Sequence, residues 1–291
     1  MKSTPLPRMT SVWLSVLALI LLVPDLGRAE GEIQPELPDR FMIRGGYGLV
    51  FNADTVFQFN GSSGIGASVD YVDTLGGARD DQFWRIDARY RFNDRHSLAF
   101  SYYDVSRDGN QTLNQNITIG DTTYAAGGAI RSSIDIQLYR LIYNYSFYHN
   151  DKVELALSPG LYVARIDTFY AGSLVCAGGP SCAGGTTVAS SVESEKLTVP
   201  LPSIGVLLNY NITPRLQAQL RFDWFYFEVS SAKGSMNEFY AGLEYRLFKH
   251  FAVGGAFNRL SIDVDYKPKD TSGWGVRNDW ATAFVYGALY F

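Results

Sequence analysis

Residues 83–92, Phe83-Trp84-Arg85-Ile86-Asp87-Ala88-Arg89-Tyr90-Arg91-Phe92, decide the fold of this chain. Trp84, Ile86, Ala88, Tyr90 and Phe92 fall on one side of an extended strand, and Arg85, Asp87, Arg89 and Arg91 fall on the other. A helix would spread the same charges around its circumference. The pattern returns in Leu216–Tyr226, where Leu216, Ala218, Leu220, Phe222, Trp224 and Tyr226 oppose Gln217, Gln219, Arg221 and Asp223. It returns again in Phe239–Leu247, with Glu244 and Arg246 on the polar side. These are strands with two unlike faces.

Ten such segments run through the chain, at about 40–51, 82–92, 96–105, 130–147, 152–169, 195–210, 214–230, 235–248, 250–266 and 279–291. Each reaches the ~9–11 residues a tilted strand needs to cross a bilayer, well beyond the ~5–6 typical of a sandwich strand. Connections alternate between tight turns (93–95, 148–151, 211–213, 248–250) and long polar stretches (52–81, 106–129, 170–194, 267–278). That asymmetry predicts an all-β, antiparallel, up-and-down transmembrane β-barrel of about ten strands, with eight or twelve as the neighbouring solutions. In 130–147 the apolar parity changes from Ile134, Ile136 and Leu138 to Leu141, Tyr143, Tyr145 and Phe147, and 250–266 changes near Asn258-Arg259; a bulge in each would explain the change. Pro200 and Pro202 weaken the sixth segment, because a proline donates nothing to a ladder. Within 52–81, Thr55–Phe59 and Ala67–Val72 read as a hairpin too short to cross a membrane.

The first residues read as an export signal: Lys2 and Arg8, the apolar run Val12–Val23, then Gly27-Arg28-Ala29. Residues 1–29 are therefore set aside as a signal peptide, 30–39 as a short periplasmic extension and 40–291 as the barrel. No Cys follows the apolar run, so a lipid anchor is not indicated. The formal charge of −4 falls to about −6 once Lys2, Arg8, Arg28 and Asp25 are removed, which argues against nucleic acid as a partner. Cys176 and Cys182 flank Ala-Gly-Gly-Pro-Ser, a spacing that suits a disulfide closing a small loop in an oxidising compartment. No metal-ligand set surrounds them, and no cofactor motif occurs.

The chain finishes Val285-Tyr-Gly-Ala-Leu-Tyr-Phe291, with Phe291 and Leu289 on the apolar parity. This resembles the C-terminal assembly signal of bacterial outer-membrane β-barrel proteins, offset by one position at the glycine. The resemblance implies location in the outer membrane of a Gram-negative envelope, contact with its lipids, and handling of the last strand by the barrel assembly machinery. The ten-strand count also resembles omptin proteases and barrel lipid hydrolases, which carry a histidine near their outer side. Here His96, His149 and His250 all fall at predicted turns on the opposite side, so an enzyme is not expected.

With the apolar faces outward, Arg44, Arg85, Asp87, Arg89, Arg91, Arg140, Glu154, Arg221, Asp223, Glu238, Glu244 and Arg246 face the lumen. A hairpin centred on 231–234 would set Arg221 opposite Glu244. Barrels near eight strands are filled by side chains, whereas porins of sixteen or more leave channels. The leading expectation is a filled, structural barrel that displays loops. A narrow passive pore for small anions, porin-like and lined by the arginine excess, stands second. A barrel-embedded hydrolase stands third. No motif in the loops names a ligand.

Overall fold

The computed structural model describes residues 40–60, 66–77, 81–114, 117–119, 122–124, 127–173, 190–229, 232–266 and 273–291. The expected signal peptide, the extension at 30–39 and the Cys176–Cys182 loop lie outside these residues. Ten long strands form one ring: β1 (Phe41–Asn60), β3 (Asp81–Asn93), β4 (His96–Thr112), β7 (Ala129–His149), β8 (Val153–Ser173), β9 (Ser190–Asn211), β10 (Leu216–Val229), β11 (Ala232–Phe248), β12 (Phe251–Tyr266) and β13 (Gly273–Tyr290). Short strands β2 (Gly66–Asp70), β5 (Ile117–Ile119) and β6 (Thr122–Tyr124) complete the set. Every pairing is antiparallel between neighbours in the ring, and β13 pairs with β1 from Met42↔Tyr290 to Asn60↔Gly273. Each of the ten expected segments is a ring strand, and most extend further toward the long-loop end.

Outside, the barrel carries an apolar belt rimmed by aromatics. Near the tight turns stand Tyr90, Phe92, Phe147, Tyr210, Phe248 and Phe291; on the opposite rim stand Tyr47, Trp84, Trp224, Tyr226 and Phe239. Trp84, Tyr102 and Tyr139 form a ladder on three adjacent strands, with ring centroids 5.0 and 4.9 Å apart. From Trp84 to Phe92, at ~3.3 Å per residue and a tilt of about 40°, the belt is roughly 20 Å tall, close to the ~25 Å apolar band of membrane barrels.

Above the loop-side rim the two faces exchange character. The outer wall there carries water-facing ion pairs, Arg259–Asp279 at 2.9 Å, Arg277–Asp263 at 2.9 Å and Lys196–Asp167 at 3.3 Å. The inner wall at that height carries Ile134, Ile136, Leu138, Leu201, Leu260 and Val264, all buried. This corrects the bulges expected in 130–147 and 250–266. Along β7 every even-numbered residue from Ile130 to Ser146 is buried, so the strand keeps one face through the parity change and shifts only at its turn end, between Ser146 and Tyr148. What changes is the solvent on each side: charges inside and grease outside within the belt, grease inside and charges outside beyond it.

Register shifts at the turn end fall at Arg91/Asn93, Ser146/Tyr148 and Arg246/Phe248, and one further up lies in β1, between Phe51 and Asp54. It brings Ala53, Thr55 and Phe57 inward after Val50. β3 reaches only as far as Asp81, which pairs with Val50, so above that height β1 and β4 would be left without a common neighbour. The stretch 66–77 takes the place of β3. β2 pairs with β1 at Val56↔Asp70 through Asn60↔Gly66, which is the expected hairpin, and Gly77 bridges to Gly109 of β4. Gly76 makes the turn with φ +70, and buried Tyr71 and Leu75 seal the inside, Tyr71 Oη donating to the Arg107 carbonyl at 2.7 Å.

The belt predicts a depth-dependent response on one strand face. Leu243 lies mid-belt on β11, and Asn237 lies on the same face above Phe239. Leu243→Arg is expected to cost about 2–4 kcal/mol and Asn237→Arg no more than about 1 kcal/mol, measured by denaturant unfolding from lipid vesicles.

Candidate functional site

The belt-height interior is a polar network, assembled because ten strands each send alternate residues to the same axis. Glu238 of β11 lies at its centre and is fully buried. It accepts from Arg140 Nη1 at 3.1 Å, from Tyr103 Oη at 3.2 Å and from Tyr162 Oη. The Tyr162 hydroxyl also lies 3.0 Å from Asp223 Oδ2, so these two acids, on neighbouring strands, meet through one phenol. Arg140 crosses to Ser101 Oγ at 2.8 Å and stands 3.8 Å from Asp87. Asp87 in turn accepts from Arg85 Nε at 2.8 and 2.9 Å, and Arg85 stacks 4.3 Å from the Tyr103 ring. Gly205 makes room for Asp223; a Cβ there would stand 2.1 Å from its Oδ1.

Toward the tight turns a second group forms. Arg44 Nη2 donates to Glu244 Oε2 at 3.1 Å and its guanidinium lies 4.2 Å over Tyr286. Arg91 Nη2 donates to Glu154 Oε1 at 2.8 Å, and Glu154 also accepts from Asn209 Nδ2 at 2.9 Å and from Ser146 Oγ. Arg246 stacks 4.3 Å over Tyr290, whose hydroxyl donates to Glu244. Such pairs offset the large cost of removing charge from water only when each retains a partner, as the linked chain from Asp87 to Asp223 does.

The structure places all twelve named charged residues on the inner face: ten are buried, while Arg89 and Arg246 are half-buried. One expected contact is absent. β10 pairs with β11 about Val229↔Ala232, which sets Arg221 opposite Tyr240 and Gln217 opposite Glu244. The tighter hairpin moves the register by four residues from the expected one. Arg221 instead donates to Asn144 Oδ1 at 2.7 Å and approaches Asp223 at 3.5 Å, and Glu244 finds Arg44 across the seam where the barrel closes. Sequence reasoning missed Arg107, which sits above the belt, fully buried, donating to Thr55 Oγ1 at 3.1 Å and the Ala53 carbonyl at 3.2 Å. It shares the inward odd parity of Ser101 and Tyr103, which was the available signal. Leu289 and Phe291 point outward; Phe291 exchanges backbone hydrogen bonds with Phe41 at 2.9 and 3.0 Å. His96, His149 and His250 lie at the tight-turn end, and the His96 imidazole contacts Tyr143 outside the barrel.

Above the network the interior is an apolar slot. Fourteen residues line it, among them Ile136, Leu138, Ala164, Leu201, Ile262, Val276 and Trp280; Thr55 and Asn278 are its polar members and none is charged. Its volume is about 570 Å³ counted together with adjoining open space.

Breaking the network is expected to be costly, and replacing it whole is not. Glu238→Leu leaves Arg140 without its nearest carboxylate and is expected to cost about 3–5 kcal/mol, whereas Arg140→Met combined with Glu238→Leu is expected to stay within about 1–2 kcal/mol of wild type. Denaturant unfolding of the four corners of this cycle measures both.

No protein-family model matches the chain, and no curated protein sequence matches it. Among solved structures, the outer membrane protease OmpT of Escherichia coli is similar over 86% of this chain and 97% of its own, at 12% identity and a TM-score of 0.53. The outer membrane protein OprG of Pseudomonas aeruginosa, at 13% identity, covers 89% of this chain and 99% of its own with a TM-score of 0.33. The toluene transporter TodX of P. putida, at 8% identity, covers 88% and 91% with a TM-score of 0.36. A closed ring of ten antiparallel strands, an aromatic-rimmed apolar belt and the likeness to OmpT agree: the chain has the fold of the outer-membrane β-barrel proteins.

Proposed function

We propose that this chain is an integral outer-membrane barrel whose lumen is plugged, acting as a rigid anchor that holds its loop-side wall and loops above the membrane. The carrying observation is the continuous span of ion-paired and hydrogen-bonded groups from Asp87 through Arg140, Glu238 and Tyr162 to Asp223, which runs between strands from separate parts of the ring. Each of these groups would have to give up a charged partner to let a solute pass. On this reading the belt contacts outer-membrane lipids, the C-terminal strand is the edge offered to the assembly machinery, and no cofactor is required. Catalysis forms no part of the proposal, because all three histidines lie at the turn end, away from the apolar slot.

A narrow anion pore is the second reading, favoured by charge imbalance. Among the described residues the inner face carries eight arginines (44, 85, 89, 91, 107, 140, 221, 246) against six acids (81, 87, 154, 223, 238, 244). The Arg89 Nε is buried without a hydrogen-bond partner. Recording from planar bilayers separates the two. The plugged barrel is expected to be silent, and stepwise anion-selective currents that vanish in Arg89→Ala would establish the pore instead.

A further inference from the structure

The wall beside the apolar slot is not continuous. β9 and β10 pair from Gln217↔Asn211 to Trp224↔Ile204 and, among the described residues, no further, although β9 continues to Ser190 and β10 to Val229. Above Ile204 each strand keeps only its other neighbour: β8 for β9, β11 for β10. Pro200 and Pro202 cause the separation. They sit opposite Val163 and Leu161 in an unbroken β8 ladder, so their nitrogens face away from β8, toward β10, where each lacks the proton that a ladder bond needs. The seam begins at the loop-side rim, beside outward-facing Trp224 and Tyr226. On its inner side it meets Val199 and Leu201 of β9, which line the slot, and half-buried Phe225 and Phe227 of β10.

The slot itself has a defined chemistry. The free space inside the slot is small and its lining is almost wholly apolar, which suits one slender apolar molecule. Trp280 stands at its inner end, 93% buried, and its Nε1–H has no hydrogen-bond partner. One residue pair deeper, the Asn258 Oδ1 is also buried without a partner. Buried polar atoms without partners are rare and costly. A neutral oxygen can accept from the Trp280 donor, whereas a carboxylate would meet no cation in the lining.

We propose that the slot binds one unbranched, uncharged alkyl chain bearing an oxygen, such as a fatty alcohol, with the oxygen accepting from Trp280 Nε1–H, and that the chain enters at the outer membrane–water interface through the proline-cut seam between β9 and β10. Entry there needs no passage through the charged network, so the site operates whether or not the lumen conducts.

The test uses the full barrel in phospholipid nanodiscs, with radiolabelled 1-alkanols from hexanol to dodecanol counted against protein-free discs. One saturable site per barrel is expected. Affinity should rise about three- to fourfold per added methylene and then level off when the slot is full; simple partition into lipid would keep rising. Trp280→Phe should weaken decanol about five- to tenfold, and the matching alkane should bind wild type and this variant alike. Ala164→Trp should abolish binding, with heat-modifiable migration on gels confirming a folded barrel. Pro200→Val with Pro202→Val restores both donors; it should slow uptake of decanol preloaded in the discs at least tenfold and leave its equilibrium affinity unchanged. No saturable excess over protein-free discs, or no plateau with chain length, overturns the site. Uptake that is equally fast in the valine variant and faster from water than from the disc overturns the seam as the route.

Discussion

Between Met42 and Asn60, β1 exchanges backbone hydrogen bonds with β13, and that ladder turns a ten-stranded sheet into a closed wall. In hydrocarbon an unpaired N–H or C=O costs several kcal/mol, so an open edge within the belt is not tolerated. Closure forces alternate residues of every strand onto one axis. The polar network is the consequence: side chains more than a hundred residues apart in sequence, such as Arg44 and Glu244 or Tyr103 and Glu238, meet because the ring leaves them nowhere else to go.

The same constraint explains where the wall is permitted to be irregular. β3 stops at Asp81 and the β9–β10 ladder stops at Ile204, and both interruptions lie at or above the loop-side aromatic rim. There water can satisfy a free backbone group on the outer face. The chain repairs the first gap with the stretch 66–77 and leaves the second one unpaired. Two departures from regular pairing at similar height thus have opposite outcomes, and the difference is a pair of prolines.

Beyond the rim the barrel obeys the rules of a water-soluble protein. Ion pairs face outward and aliphatic side chains face inward, so one strand such as β12 carries Val253 outward in the belt and Leu260 and Val264 inward above it. The interior changes from charged to apolar along one axis, and the apolar slot stands directly on the polar plug. A pocket with a closed floor follows from that stacking.

Alternation and strand length made the architecture legible in the residues alone: ten segments, two unlike faces, short turns against long loops, and twelve charges destined for one side. These are properties of each strand separately, and period two is read locally. The sequence also marked Pro200 and Pro202 as places where a ladder loses donors. Pairing partners depend instead on register, which a hairpin centre sets; a four-residue difference in the β10–β11 register exchanged Glu244 for Asn144 and Asp223 as partners of Arg221. The parity change in β7 looked like a bulge because the polarity of the surroundings, not the direction of the side chains, reverses at the membrane edge. Only the closed wall decides that Ile134 and Leu141, on opposite faces of the same strand, are each in an apolar place.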